Sequence, residues 1–397
     1  MHLSIKILIG LILGVIGGLI AGPTAVPWMK VWIAPIGTVF INLIKMVIVP
    51  VVLASIVAGV ASIGDVKKLG RVGVKIMIFY LATTAFAVGI GLLFGTLMQP
   101  GKGLTIPAGA KAASKMAPPL QDVLVNIIPS NPFVAMEKGD MLQIIVFAIF
   151  LGIGITMVGA KAKPVEDFFN GLAEVTYKII DMIMSFAPFG VFALMMPVVA
   201  VNGPKVLLPL ASVVAAMYIA SIVHAVVVYS GTVATLGGMS PVKFFKGIAP
   251  AMLVAFSTCS SGATLPVTMK CTQENLGVKK DVSSFCLPLG ATVNMDGTAI
   301  YCGLAALFVA QAYGIELNAG QYMTIILTGT LASIGAAGVP GAGLIMLTLV
   351  LTSVGLPIEG VALIAGIDRV LDMARTTLNI TGDAAGCVVV QNSESKS

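Results

Sequence analysis

The chain has 397 residues, of which 58% are apolar and only 10% charged, with a formal charge of +6 and a mean hydropathy of +1.04. A water-soluble domain carries roughly 25% charged residues to cover its surface. This composition therefore excludes a soluble enzyme, a nucleic-acid binder and a disordered scaffold, and places the chain in a bilayer. The basic residues are scattered, so their excess reads as loop bias at a membrane face rather than a phosphate-binding surface.

The first apolar run, residues 5–20, is not followed by a small-residue cleavage site and a polar mature chain, so it reads as a retained first span. About 20 apolar residues cross a bilayer core, and further candidates are 32–63, 72–98, 142–158, 172–200 and 206–236. Several are long enough to imply steep tilt. Residues 100–119 form a polar loop with Gly, Pro and three lysines, and 118–133 reads as a short interfacial piece of the fourth element. Lys67, Lys68 and Arg71, then Lys161 and Lys163, then Lys243 and Lys246 fall on one side if the N-terminus is internal. That assignment follows the positive-inside rule. Lys102, Lys111 and Lys115 fall outside, so the rule is obeyed in part.

After residue 240 the pattern changes. The apolar run 244–267 is interrupted by Ser257-Thr258-Cys259-Ser260-Ser261-Gly262. The run 322–351 is interrupted by Ser333 through Gly341. Broken backbone at membrane depth is tolerated only where protein or a water-filled cavity satisfies its N–H and C=O groups. Each broken segment precedes a long span, 285–308 and 361–390, which reads as a two-fold repeat. Half-helix tips meeting near the midplane are how secondary transporters build a site.

The last span carries the densest polar signal. At ~100° per residue, with Asp368 at zero, Asp372 falls near ~40°, Arg375 near ~−20°, Thr376 near ~80°, Asn379 near ~20° and Asp383 near ~60°. All lie within one arc. Ionised groups at mid-bilayer cost ~2.5–3.5 kcal/mol each even on the lenient insertion scale, so this stripe must face partners or water. A plain i,i+3 ion pair between Asp372 and Arg375 would leave Asp383 and Asn379 unexplained. A guanidinium offers a planar fork for a carboxylate, and Asp372 is suited to an α-ammonium. Asp368 is placed to orient the guanidinium, while Asp383, two turns beyond it, is better placed for a cation. The stripe thus suits a zwitterion with an acidic side chain.

The preceding span holds Asn294-Met295-Asp296-Gly297-Thr298, where Gly297 and Gly290 allow the helix to open. Freed carbonyls with Asn294 and Asp296 would supply hard oxygen ligands for Na⁺. Tyr80, Thr83 and Thr84 add hydroxyls at helical spacing, although such residues often bond back to their own helix. His224 reads as a hydrogen-bonded structural histidine, with a proton relay as the alternative. The serine run lacks the G-x-S-x-G elbow of a hydrolase. Cys259, Cys271, Cys286, Cys302 and Cys387 form no C-x-x-C pair, and His2 and His224 are the only histidines, which argues against a zinc site or a disulfide framework.

These motifs resemble the glutamate transporter family, the dicarboxylate/amino-acid:cation symporters. The resemblance rests on the serine-rich segment ending Thr264-Leu265-Pro266, Asn294 through Thr298, Ser333 through Gly341 and the Asp372-to-Asp383 stripe, and it covers nearly the whole chain. It implies an all-α polytopic membrane protein with eight transmembrane helices, two re-entrant helical hairpins, inverted repeats and elevator-type alternating access. The implied scaffold comprises 1–70 (spans one and two) and 116–204 (spans four and five, trimerisation). The implied transport domain comprises 71–115 (span three and the external loop) and 205–397, with hairpin one at about 241–274 and hairpin two, the extracellular gate, at about 318–355. A homotrimer in the cell membrane, with both termini cytoplasmic, is also implied.

Carried over by the resemblance, Arg375 binds the substrate side-chain carboxylate and Asp372 its amino group. Thr298, Thr376, Asn379 and the backbone around Ser261, Val339 and Gly343 hold the rest. One sodium falls to Asp383, Asn379 and the carbonyls of Gly290 and Asn294. A second falls to carbonyls near Thr292, Ser333, Ile334 and Ala336, and a third to Tyr80, Thr83, Thr84, Asn294 and Asp296. No organic cofactor is expected. Family members for neutral amino acids lack the charge at Arg375, and those for C4-dicarboxylates lack the acid at Asp372. Asp383 is often an amide in proton-coupled bacterial relatives. The expectation is therefore sodium-coupled symport of L-aspartate or L-glutamate, with a proton-coupled glutamate or C4-dicarboxylate symporter as the alternative. Relatives carry an arginine where this chain has Cys259 or Met373, and Arg369 is an extra charge that could substitute from a different angle.

Overall fold

The computed structural model describes residues 3–61, 66–104, 128–334 and 341–395, and every element among them is helical. The first half is built on close helix contacts. Helix α1 (Leu3–Ala21) turns through 100° at Gly22, which has φ 64°, into a short 3₁₀ turn and α2 (Val26–Trp32). Then come α3 (Ala34–Ala61), α4 (Val66–Met98), α5 (Pro132–Lys138), α6 (Met141–Val158) and the 40-residue α7 (Lys163–Asn202). Gly10, Gly14 and Gly18 of α1 meet the α7 backbone at Pro188, Phe192 and Met196, one turn apart each time. A Cβ at Gly10 or Gly18 would overlap an α7 carbonyl, so this four-residue glycine ladder sets the approach, as small residues do where lipid gives helices no hydrophobic drive to associate. On the other face of α7, Gly190 receives the Phe40 ring of α3.

The remaining helices pack around α4. They are α8 (Leu207–His224), a π-helical turn over Ala225–Tyr229, α9 (Ser230–Thr235), α10 (Pro241–Thr258), α11 (Ser261–Lys270), α12 (Lys280–Val293) and α13 (Asp296–Ala312). They continue with α14 (Ala319–Ala332), α15 (Ala342–Ser353), α16 (Val361–Ala365) and α17 (Asp368–Ser395). Helices α12 and α13 run alongside α4 in the same direction: Tyr80 reaches Cys286, Thr84 reaches Asp296 and Gly91 abuts Ile300. Helix α17 runs back antiparallel, with Arg71 bonded to Glu394, Lys75 to Ser393, and Gly297 against the Arg375 backbone.

Two helix pairs fold back on themselves. At the base of α10/α11, the Asn275 amide donates to the Gly247 carbonyl at 2.8 Å. At the base of α14/α15, the Gln321 amide donates to Val354 at 3.0 Å, and Asn318 and Gln321 form a reciprocal capping box. The first turn-back falls at Cys259, left-handed at φ 54°, and Ser260, whose hydroxyl caps α11 by accepting from the Ala263 N–H.

Four described stretches are long and apolar enough to span a membrane: Arg71–Met98, Gln143–Ile180, Gly203–Thr235 and Val282–Ala312. The bent pair Ile9–Ala21 with Pro23–Trp32 makes a fifth. The sequence reading separates 142–158 from 172–200, whereas Gln143–Ile180 passes as one stretch. The last helix does not qualify because its own stripe of charges lowers its hydropathy. It is nonetheless among the most buried helices of the chain, from Asp368 to Val390.

Candidate functional site

The end of α10 and the start of α15 meet one stretch of α17. Arg369 donates from Nη2 to the carbonyls of Thr258 (3.3 Å) and Ser257 (3.4 Å), the last residues of α10. One turn on, Asp372 accepts from the backbone N–H of Gly341, immediately before α15, at 3.2 Å. A further turn on, the Arg375 guanidinium lies against Gly343, where any Cβ would overlap it. A cation at the C-terminal carbonyls of one half-helix and an anion at the N-terminus of another both match the helix dipoles.

Arg375 is 1% exposed. Its Nη1 donates to Asp368 at 2.8 Å and its Nε to Asp372 at 3.3 Å, and its Cζ sits 4.3 Å from the centre of the Tyr301 ring. Nη2 lies 3.0 Å from Asp372 Oδ1 but is out of line for a hydrogen bond, so among the described residues this buried nitrogen has no hydrogen-bonded acceptor. Thr376 donates to the same Asp372 oxygen at 3.2 Å. The i,i+3 pair is thus present, but as part of a larger network holding the guanidinium from three sides. Ser261 is buried at the start of α11. Thr298 and Ser333 line a small space of about 10 Å³ with Met295 and Met346. Val339 and Ala336 lie outside the described residues.

A second cluster sits one to two turns further along α17, where α12 and α13 are interrupted at Asn294–Met295, between the two glycines singled out in the sequence. The Asn379 carboxamide staples the break: its oxygen accepts from the Gly297 N–H at 2.7 Å and its nitrogen lies 3.1 Å from Met295 Sδ. Asn294 donates to Asp383 Oδ1 at 3.0 Å and lies 3.4 Å from the Asn379 carbonyl. Gly290 and Gly382 are packed so closely that a Cβ would strike Asp383 and Asn294 respectively. Asp296 is fully buried and collects three donors: Thr84 at 2.7 Å, Tyr229 at 2.8 Å and the His224 ring at 3.2 Å. Among the described residues, no lysine or arginine pairs with Asp296 or Asp383. Buried carboxylates without a counter-charge are costly; Asp296 has the His224 ring beside it, so the demand for a mobile cation or a proton falls most heavily on Asp383.

The first and third sets of ion ligands that the resemblance implies share one cluster around Asn294. Thr83 lies 3.5 Å from Asn294 Oδ1 and also bonds back to Tyr80. Tyr80 donates to the Cys286 carbonyl and packs beside Gly290 and Asp383, rather than reaching Asp296. Thr292 and Ser333 turn their hydroxyls onto their own helices, and Ile334 is buried beside Ser333. Three participants escaped the sequence reading. Tyr229 and Tyr301 sit in apolar runs with no local signal, and Met295 reads as filler.

A buried, charged interior built where two broken helices meet is the arrangement of a membrane transporter. The sequence matches the Sodium:dicarboxylate symporter family over residues 3–393, and the chain belongs to that family. It is 40% identical over 372 residues to a "Proton/sodium-glutamate symport protein" of Geobacillus stearothermophilus, covering 91% of this chain and 88% of the relative. It is 37% identical to a "Proton/glutamate-aspartate symporter" of Escherichia coli (92% and 86% covered). It is also 38% identical to a "C4-dicarboxylate transport protein 1" of Ralstonia nicotianae (90% and 85% covered). The protein is therefore a membrane symporter and not an enzyme.

Proposed function

We propose that this symporter carries L-aspartate or L-glutamate into the cell together with sodium ions. The observation that carries the reading is Arg375: a buried guanidinium, fixed by Asp368 and Tyr301, whose Nη2 has no hydrogen-bonded acceptor among the described residues. A substrate side-chain carboxylate would complete its fork, and Asp372 would exchange its contact with Arg375 for the α-ammonium. Thr376, Asn379, Thr298 and the tips near Ser261, Val339 and Gly343 would complete the enclosure.

The ion reading rests on Asp296 and Asp383, buried and, among the described residues, without a lysine or arginine partner, with amide, hydroxyl and carbonyl oxygens around them. Such hard oxygen ligands suit an alkali cation. Gly290, Asn294, Asn379, Tyr80, Thr83 and Thr84 belong to that cluster. The second set near Thr292, Ser333, Ile334 and Ala336 is proposed on the resemblance. Sodium and substrate would share one coupling free energy, each raising affinity for the other. The wider reading is a homotrimer with eight spans and two re-entrant hairpins. It sits in the plasma membrane with both termini cytoplasmic and works by elevator movement of the unit containing α4 and α8–α17.

The same buried carboxylates favour one alternative, a proton-coupled glutamate or C4-dicarboxylate symporter, because a proton would neutralise them as a cation would. Titration calorimetry of purified protein with L-aspartate, at several sodium concentrations and several pH values, separates the two. The proposal requires aspartate affinity to rise with sodium at constant pH. Affinity that ignores sodium and follows pH supports the alternative.

A further inference from the structure

A crevice of about 580 Å³ lies on the outside of the molecule, between α4, the π turn with α9, and the end of α17. Its walls are apolar along most of their length, and Ile78, Phe86 and Leu236 on its rims are 64%, 66% and 55% exposed. In a protein of the bilayer, apolar rims this exposed suit contact with hydrocarbon. The threonine hydroxyls that reach it, those of Thr83, Thr232 and Thr235, are turned onto backbone carbonyls. Polar groups gather at one end only. There, Lys75 Nζ bonds Ser393 Oγ at 2.6 Å and Glu394 at 2.7 Å, while Arg71 bonds the same carboxylate at 2.7 Å. Among the described residues two cations share one acid, which leaves the mouth net positive, and the Arg71 side chain is 61% exposed.

From Lys75 to Phe86 the crevice follows eleven residues of α4, ~16 Å at helical rise, close to half of a ~30 Å hydrocarbon core. That is the reach of one acyl chain in one leaflet.

We infer that the crevice binds an anionic phospholipid, one acyl chain lying along α4 and the phosphate at Arg71 and Lys75. The charge at the mouth favours an anionic over a zwitterionic headgroup. The chain's inner end would lie against Thr83, on the outer wall of the Asn294 cluster. The inference does not depend on which cargo or ion is carried.

The test is native mass spectrometry of the full-length protein, released from mixed micelles containing equal amounts of phosphatidylglycerol and phosphatidylcholine. Wild type should retain phosphatidylglycerol severalfold over phosphatidylcholine, and Lys75→Gln with Arg71→Gln should bring the ratio to parity. Glu394→Gln should raise the ratio, a gain that unfolding cannot imitate. Ala82→Trp, which fills the crevice from an exposed position, should lower retention of both lipids. Parity in wild type, an unchanged Glu394→Gln ratio, or full retention by Ala82→Trp would overturn the assignment. So would a lipid-free mass in which a second copy of the chain covers this face.

Discussion

Replacing Arg375 by cysteine removes the centre of the tip network, and two separate costs follow. The first is structural. Asp368 loses its 2.8 Å partner and Asp372 its neighbour, both while buried. Breaking a buried pair by deleting one member costs about 3–5 kcal/mol, so the single variant should melt at clearly lower temperature. Adding Asp368→Asn removes one orphaned charge and should recover part of that loss. The second cost falls on recognition. Hydrogen bonds to charged groups are worth ~1.5–3 kcal/mol each, so a lost two-bond fork removes ~3–6 kcal/mol, about two to four decades of affinity. The assay is uptake of radiolabelled L-aspartate and L-serine into proteoliposomes by the double variant, after its folding is verified by melting. Aspartate transport should fall below detection while serine competes for the emptied pocket. An aspartate KM within threefold of wild type in a folded variant would refute the assignment of Arg375 to the side-chain carboxylate.

Asp383→Asn should weaken the sodium dependence of uptake while leaving substrate selectivity intact, and an unaltered sodium titration would remove Asp383 from the ion cluster. Gly297→Ala forces a Cβ into the Arg375 backbone; overpacking of this kind costs about 1–3 kcal/mol, to be read as a lowered melting temperature. Arg369→Gln should release the α10 carbonyls at Ser257 and Thr258, read as faster amide exchange around residues 256–262, with Arg369→Lys recovering part of the protection. Glu394, beyond the apolar part of α17, has its carboxyl held below the usual glutamate range by hydrogen bonds from Arg71 and Lys75. Its contribution is therefore present above the ordinary glutamate pKa and lost as pH falls through the lowered one. The melting-temperature gap between wild type and Glu394→Gln should close on acidification.

What could be read from the sequence was whatever violates the rules of a bilayer. Charges on an apolar helix are expensive, so Asp368, Asp372, Arg375 and Asp383 announced themselves, and helical periodicity placed them on one face that the structure buries as a unit. The run 257–262 marked the first turn-back for the same reason, and the run 333–341 falls between the paired helices α14 and α15. Residues that obey those rules were silent. Tyr301 stacks on Arg375 from an apolar helix, and nothing in its neighbours distinguishes it from packing. His224 and Tyr229 are five residues apart, ~140° around an ideal α-helix, and meet on Asp296 because the turn between them is π-helical. Such wide turns recur at functional sites, but His-Ala-Val-Val-Val-Tyr carries no signal for one. The tie between Arg369 and the α10 carbonyls was equally hidden, since a helix C-terminus advertises no partner in sequence.

The most direct test of the account is concentrative uptake of L-aspartate into proteoliposomes under an inward gradient of Na⁺ alone or of H⁺ alone. Sodium-coupled symport of an acidic amino acid predicts accumulation with the sodium gradient and none with the proton gradient. Accumulation driven by protons alone would contradict the sodium coupling. Uptake under neither gradient, with succinate accumulating instead, would contradict the reading of the Asp372–Arg375 stripe as an amino-acid site.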